Sequence, residues 1–240
     1  MAKHFVTTMN KKLFDDYGKD LLVSYMNTGQ KYPMYVYVED DIQKYPIMKN
    51  VIYVPLFEEE PECENFVRRN KNKEVASFMF DAVRFSYKVF AQCNASKHGG
   101  KMYYVDGDSV FTKTMNDEIL DMLLPDKTCV SHYYRQGMYT ETGFIGFNMN
   151  HKCMQHFIEH YRNLYINDTV YSLSHYTDCH TFDNTRKIMT NKFTDDYYEK
   201  KLGDGGTGHI MARCNLIHDY LDHRKGKRKS QKHSPEWKRS

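Results

Sequence analysis

Apolar residues in this chain recur at two spacings: short runs rich in aromatic and β-branched side chains, and longer stripes at helical intervals. His4-Phe5-Val6-Thr7-Thr8-Met9 is a run of the first kind, suited to a pleated, half-buried surface. Leu13, Phe14, Tyr17, Leu21 and Tyr25 follow, close to the i, i+3/4, i+7 stripe of an amphipathic helix. That spacing predicts a helix over residues 11–26, with Asn10 as its N-cap and Gly29 as its stop. Residues 35–38 (Tyr-Val-Tyr-Val) and 51–54 (Val-Ile-Tyr-Val) predict two more strands. Glu39-Asp40-Asp41 stands at the exit of the first of these, and residues 58–62 form an acidic loop.

Residues 73–95 predict a long buried helix, broken by His98-Gly99-Gly100. A strand follows at 102–105, with Asp106-Gly107-Asp108 at its C-terminal end and Val110-Phe111 beyond. Another strand is expected at Phe144-Ile145-Gly146-Phe147, and helices at 152–164 and 210–220. The rhythm predicts an α/β fold: a mostly parallel, Rossmann-type central sheet with helices on both faces. Open sheets of this kind bind ligands beyond the carboxyl ends of their strands. Thr7-Thr8, Glu39-Asp40 and Asp106-Gly107-Asp108 are therefore expected along one edge.

Composition narrows the class. The 240 residues suit one such domain, and 40% hydrophobic with 15% aromatic content provides for a packed core. No stretch approaches the roughly 18–20 apolar residues that span a bilayer, and mean hydropathy is −0.75. The N-terminal residues carry no apolar signal-type segment, so a cytoplasmic protein without a membrane partner is expected. The six cysteines include no CxxC pair and read as free thiols in a reducing compartment. Charge is asymmetric: residues 224–240 hold eight Lys/Arg and one acid, a net of +7, while the other 223 residues net −4. The division expected is a single catalytic body over 1–223 and a basic tail over 224–240, suited to a phosphate-rich partner.

Three constellations could carry chemistry. Asp106 and Asp108, i and i+2 at a strand end with Gly between, can turn two carboxylates toward one hard cation such as Mn²⁺ or Mg²⁺. Arg84 and Lys88 share a face of the preceding helix and can meet phosphate or hold the carboxylates in place. His223-Arg224-Lys225-Gly226-Lys227-Arg228-Lys229 has the form H-x-x-G-x-x-K, offering an imidazole ligand, a turn and a cation. A rival is His156-Phe157-Ile158-Glu159-His160, the H-x-x-E-H of inverted zinc proteases, which with 12 histidines in the chain reads first as a polar helix face. The glycine-rich run Gly203-Asp204-Gly205-Gly206-Thr207-Gly208 lacks the Gly-Lys-Ser/Thr of a nucleotide-binding P-loop.

Taken in order, strand-end Asp106-x-Asp108, a preceding basic helix and a distant H-x-x-G-x-x-K resemble a GT-A fold glycosyltransferase. The likeness is to the glycogenin and lipopolysaccharide-galactosyltransferase type, where that trio binds metal and nucleotide diphosphate. Glu141-Thr142-Gly143-Phe144-Ile145-Gly146-Phe147-Asn148 is similar to the family's small-residue strand beside sugar and acceptor. Asp178 lies where a later acceptor-site carboxylate or amide often occurs. The resemblance implies a hexosyl- or pentosyltransferase using a nucleotide sugar, most simply a UDP-sugar. Asp106, Asp108 and His223 would hold Mn²⁺ or Mg²⁺. Thr7, Thr8, Arg84, Lys88 and Lys229, with the two aspartates, would border the donor, and Glu141 or Asp178 would deprotonate the acceptor if the reaction inverts.

The basic tail and the expected cytoplasmic location (a host's cytoplasm, for a phage protein) fit compact phage-type enzymes that glycosylate hydroxymethylated bases in DNA. Tyr133, Tyr134 and Tyr139 are then expected to stack on the extruded base. A protein or glycan acceptor is the alternative. So is a nucleic-acid-binding accessory protein on a degenerate transferase fold.

Overall fold

The computed structural model describes residues 1–206 and 209–232, with only the backbone of Asp204. Strand β1 (Lys3–Met9) leads into α1 (Lys11–Leu13), a π-helical turn (Phe14–Gly18) and α2 (Lys19–Asn27). Asn10 caps this run, its side chain accepting from the Leu13 amide, and Gly29 leaves it at φ +65°. Strands β2 (Met34–Val38) and β3 (Val51–Pro55) precede α3 (Leu56–Glu59), α4 (Pro61–Asn70) and α5 (Ala82–Ala95). Then come β4 (Lys101–Val105), β5 (Ser109–Phe111), α6 (Asp117–Leu123), β6 (Val130–Arg135) and β7 (Glu141–Asn148). Helices α7 (Met154–Ile166) and α8 (Asp178–Lys192), strands β8 (Glu199–Gly205) and β9 (Leu221–His223), and α9 (Arg228–Gln231) complete the order.

Seven strands form one sheet in the order β3-β2-β1-β4-β7-β6-β8. All pairs are parallel except the two made by β7, which runs against both neighbours. Strand side chains alternate between two apolar layers. Val6, Met102, Tyr104, Ile145 and Phe147 pack with α4, α5, α7 and α8. Phe5, Tyr103, Val105 and Phe144 pack with α2 and α6 on the other face. The α/β sheet with helices on both faces is therefore present. Among the described residues no helix is long and apolar enough to cross a membrane.

Several expectations give way. Residues 58–62 are not a loop: Pro61 opens α4 at its first turn, where a missing N–H costs nothing. The helix expected from residue 73 begins only at Ala82, because the Asp81 side chain accepts from the Arg84 amide and caps it there. Residues 210–220 hold a single 3₁₀ turn, Ile210–Arg213, although Ile210, Met211, Cys214 and Ile217 are buried at helix-like intervals. Gly203 and Gly205 belong to β8 at positive φ. Thr207 and Gly208, like tail residues 233–240, lie outside the described residues.

Candidate metal and donor site

Strand β1 pairs in parallel with β2 on one side and β4 on the other, so their carboxyl ends meet at one edge. There the Asn10 amide donates to Glu39 and the Lys11 backbone N–H to Asp40. The Asp106 amide is held by the Gly143 carbonyl at 2.9 Å, and Ser109 N–H closes the Asp106-Gly107-Asp108 turn on the Asp106 carbonyl at 3.1 Å. Strand β5 then pairs with β9, setting Ser109 opposite His223, while the Arg224 amide bonds the Asp108 carbonyl. A residue more than a hundred positions away is thus fixed beside the turn by backbone hydrogen bonds.

One carboxylate oxygen each of Asp106 and Asp108 and one ring nitrogen of His223 lie within 4.8 Å of one another. His223 Nε2 is 3.1 Å from Asp108 and 3.6 Å from Asp106. Lys229 Nζ approaches the other Asp108 oxygen at 3.0 Å and lies 4.2 Å from the Tyr17 ring centre. Space for the imidazole comes from Gly143: a Cβ there would stand 2.6 Å from His223 Cε1 and 2.8 Å from Nδ1. Two carboxylates and an imidazole suit a hard or borderline divalent ion, so these residues fit the cation expected from the sequence.

Beneath the turn, Lys88 is buried from α5 and saturated. Its ammonium donates to Asp106 at 2.7 Å and to the Thr142 carbonyl at 2.8 Å, and pairs with Asp178 at 2.6 Å. Thr142 Oγ1 also donates to Asp178, at 2.6 Å. Glu141, buried at the start of β7, is bound by Lys225 at 2.9 Å and approached by Arg135 at 3.6 Å.

The charges respond to one another. Burial, with Asp108 nearby, pushes Asp106 up against the pull of Lys88 and His223. Asp108 is partly buried, and that burial acts to raise it, yet His223 and Lys229 hold it well below the usual carboxylate range. Burial alone would lower His223, but Asp108, Glu141 and Asp106 hold it above the ordinary imidazole value. Asp178 and Glu141 stay below the carboxylate range despite burial, Asp178 through Lys88 and Glu141 through His223 and Lys225.

Other expected residues are less central. Thr8 borders the turn, its hydroxyl donating to the Tyr37 carbonyl, while Thr7 is fully buried. Arg84 is exposed over Phe78, with its charge felt at Tyr17. Tyr133 is fully buried in the core and cannot stack on a base, which corrects the expectation for it. Tyr139 bonds His175, and Lys201 covers the Tyr134 ring. His156 lies against Phe193 and His160 faces Asn184, so the H-x-x-E-H pattern builds no three-ligand cluster among the described residues.

Tyr17, Arg135 and Lys225 also stand at this candidate site, and no motif position in the sequence marks them. Tyr17 counted as a core position of the first helix, yet the π-turn presents it to Gly107 and Lys229, and such turns gather at functional sites.

By sequence the chain matches no protein-family model and no curated protein. In fold it is similar to the crystal structure of mouse xyloside xylosyltransferase 1, apo form, with a TM-score of 0.52 and 10% identity. The likeness covers 85% of this chain and 86% of that one. It is a likeness of fold, to a glycosyltransferase, and it spans nearly the whole of both chains.

Proposed function

We propose that this protein is a metal-dependent glycosyltransferase that moves a sugar from a UDP-sugar to a hydroxyl acceptor. The observation that carries the reading is the convergence of Asp106, Asp108 and His223 at the carboxyl edge of a parallel sheet. Asp106, Asp108 and His223 would hold a divalent ion, which would supply Lewis-acid neutralisation of charge on the leaving diphosphate. Lys229 stands beside the same carboxylate and adds positive charge along the diphosphate. Thr8 and Tyr17 wall the nucleotide side, and Arg84 meets phosphate at the rim.

Lys88 has no donor left for a ligand, so its task is to orient Asp106 and Asp178. Asp178, gripped by Lys88 and Thr142, positions rather than takes a proton. Glu141 is the acceptor-side carboxylate in this reading: its partner Lys225 has a half-exposed side chain and can swing away. Turnover of UDP-sugars by the full chain, measured with Mn²⁺ and with chelator, tests the reading. UDP release that requires the metal and disappears in Asp108→Asn supports it; equal release under both conditions refutes it.

For the acceptor, DNA is the reading that the basic tail suggests. Arg224, Lys225 and Lys229 are engaged by Asp20, Asp222, Glu141 and Asp108. The DNA reading therefore rests on the cations beyond them, Lys227 and Lys232 among those described, both exposed.

A further inference from the structure

Strand β7 begins with Glu141 at the donor edge and ends with Asn148 at the far edge, roughly 25 Å away at the usual rise per residue. At that far edge three chain segments meet. Cys129 immediately precedes β6, His151 lies in the turn after β7, and Cys153 is the N-cap of α7. Cys129 Sγ is 3.0 Å from His151 Nδ1, and the Cys153 amide donates to the same nitrogen at 3.3 Å. Both thiols also point at one acceptor, the Asp196 carbonyl, at 3.9 and 3.8 Å. The two sulfurs and the imidazole nitrogen lie within 4.8 Å of one another. The cysteines are fully buried while His151 is partly open to solvent, which leaves an entry path.

We propose that Cys129, His151 and Cys153 form a second metal site, for a borderline-soft divalent ion such as Zn²⁺, with its fourth position open to water beside Asp196. Zinc bonds of about 2.3 Å to sulfur and about 2.0 Å to nitrogen hold tetrahedral ligands roughly 3.5–3.8 Å apart. Reaching that spacing needs small side-chain rotations, including a turn of the His151 ring that moves the Nδ1 lone pair from the Cys153 amide to the ion. Loading exchanges the two thiol protons for the ion, M²⁺ + 2 Cys–SH giving (Cys–S)₂M + 2 H⁺, with the protons passing to solvent. Two thiolates and an imidazole discriminate against Mn²⁺ and Mg²⁺, which take the oxygen-rich site at the opposite edge. The ion staples the start of β6 to the β7–α7 turn and the N-cap of α7.

The test is cobalt titration of the full chain, stripped with chelator and kept reduced by a phosphine. A thiolate-to-cobalt charge-transfer band should grow to saturation at one ion per chain and vanish on adding Zn²⁺. It should survive Asp106→Asn and Asp108→Asn and be lost in Cys129→Ser and in Cys153→Ser. No band in the wild-type protein, or a band that outlasts both cysteine substitutions, overturns the proposal. Because the serine variants can misfold, the wild type is also melted with each metal. Equimolar Zn²⁺ should raise the Tm of wild type and of Asp108→Asn alike, and failure to raise either counts against the site.

Discussion

At the scale of single residues, the site depends on Gly143 as much as on the aspartates. A methyl group at this position meets the His223 ring well inside van der Waals contact, and the ring is hemmed by β9 and Asp108. Gly143→Ala is expected to destabilise the fold by about 1–3 kcal/mol, the usual cost of overpacking, and to displace the imidazole. Metal-dependent turnover should fall at least tenfold while far-ultraviolet circular dichroism stays native. Retained activity would mean that His223 has no part in metal binding. The two aspartates and His223 were legible in the sequence because carboxylates at i and i+2 after a strand, and a distant H-x-x-G-x-x-K, are patterned chemistry. Tyr17 and Lys225 were not, since one is spaced like a core residue and the other sits in a charge run.

At the scale of elements, Lys88 ties α5 to the ends of β4 and β7. Replacing it by Met leaves the buried Asp178 and the partly buried Asp106 without their common cation, a loss that reaches about 3–5 kcal/mol for a fully buried pair and is smaller here because Asp106 keeps some contact with water. Urea unfolding of Lys88→Met should show that loss, and the double variant Lys88→Met/Asp178→Asn should recover part of it. Recovery of nothing would mean that the two groups are not energetically linked.

A second tie joins β6, α8 and β8. Glu199 accepts from Arg186 at 3.0 Å and lies 3.3 Å from His132, with Asp183 on the same arginine at 2.7 Å. Burial acts to raise Glu199, but His132 and Arg186 hold it below its ordinary value. The unfolded chain therefore binds this proton more readily, so the stabilisation is present above the ordinary Glu value of about 4.3 and is lost as pH falls through the folded one. The stability gap between wild type and Glu199→Gln should be full above about pH 5 and shrink below about pH 4. A gap that is constant with pH would contradict this.

Two of the elements missed in the sequence owe it to polar residues that tertiary pairing satisfies. Helix α8 buries Thr181, Asp183 and Thr185 along with Phe182, so polar side chains satisfied by neighbours erase its apolar stripe. Edge strand β8 reads as Glu-Lys-Lys-Leu-Gly-Asp-Gly, which is loop-like until paired with β6. Residues 210–217 show the converse, a helix-like spacing produced by tertiary burial of turns.

At the scale of the whole molecule, one edge of the sheet gathers Lys88, Asp106, Asp108, Glu141, Asp178, His223 and Lys229 from segments spread over most of the chain. The mostly parallel sheet with helices on both faces follows from the alternation of strand and helix patterns, and that much was readable, whereas the strand order was not. The antiparallel course of β7 and the β5–β9 pairing depend on long-range contacts, which no local pattern encodes. The basic segment divides by the same geometry: Lys225 and Lys229 pair with Glu141 and Asp108 at the candidate site, whereas Lys227 and Lys232 face solvent. Lys227→Ala/Lys232→Ala should leave UDP-sugar hydrolysis within about twofold of wild type. If DNA is the acceptor, the same change should reduce the salt slope of DNA binding by up to about two units. An unchanged slope would remove these lysines from any nucleic-acid interface.

The most direct test is calorimetric titration of UDP into the full chain, with Mn²⁺ and then with chelator, for wild type and for Asp108→Asn. Loss of a metal-bridged contact between carboxylate and diphosphate should weaken binding by at least tenfold, about 1.4 kcal/mol. Wild-type protein is predicted to bind UDP tightly only with Mn²⁺, and Asp108→Asn to bind weakly under both conditions. Binding of UDP by wild type that is equally tight with chelator, or undiminished in Asp108→Asn, would contradict a metal-bridged nucleotide site at Asp106, Asp108 and His223.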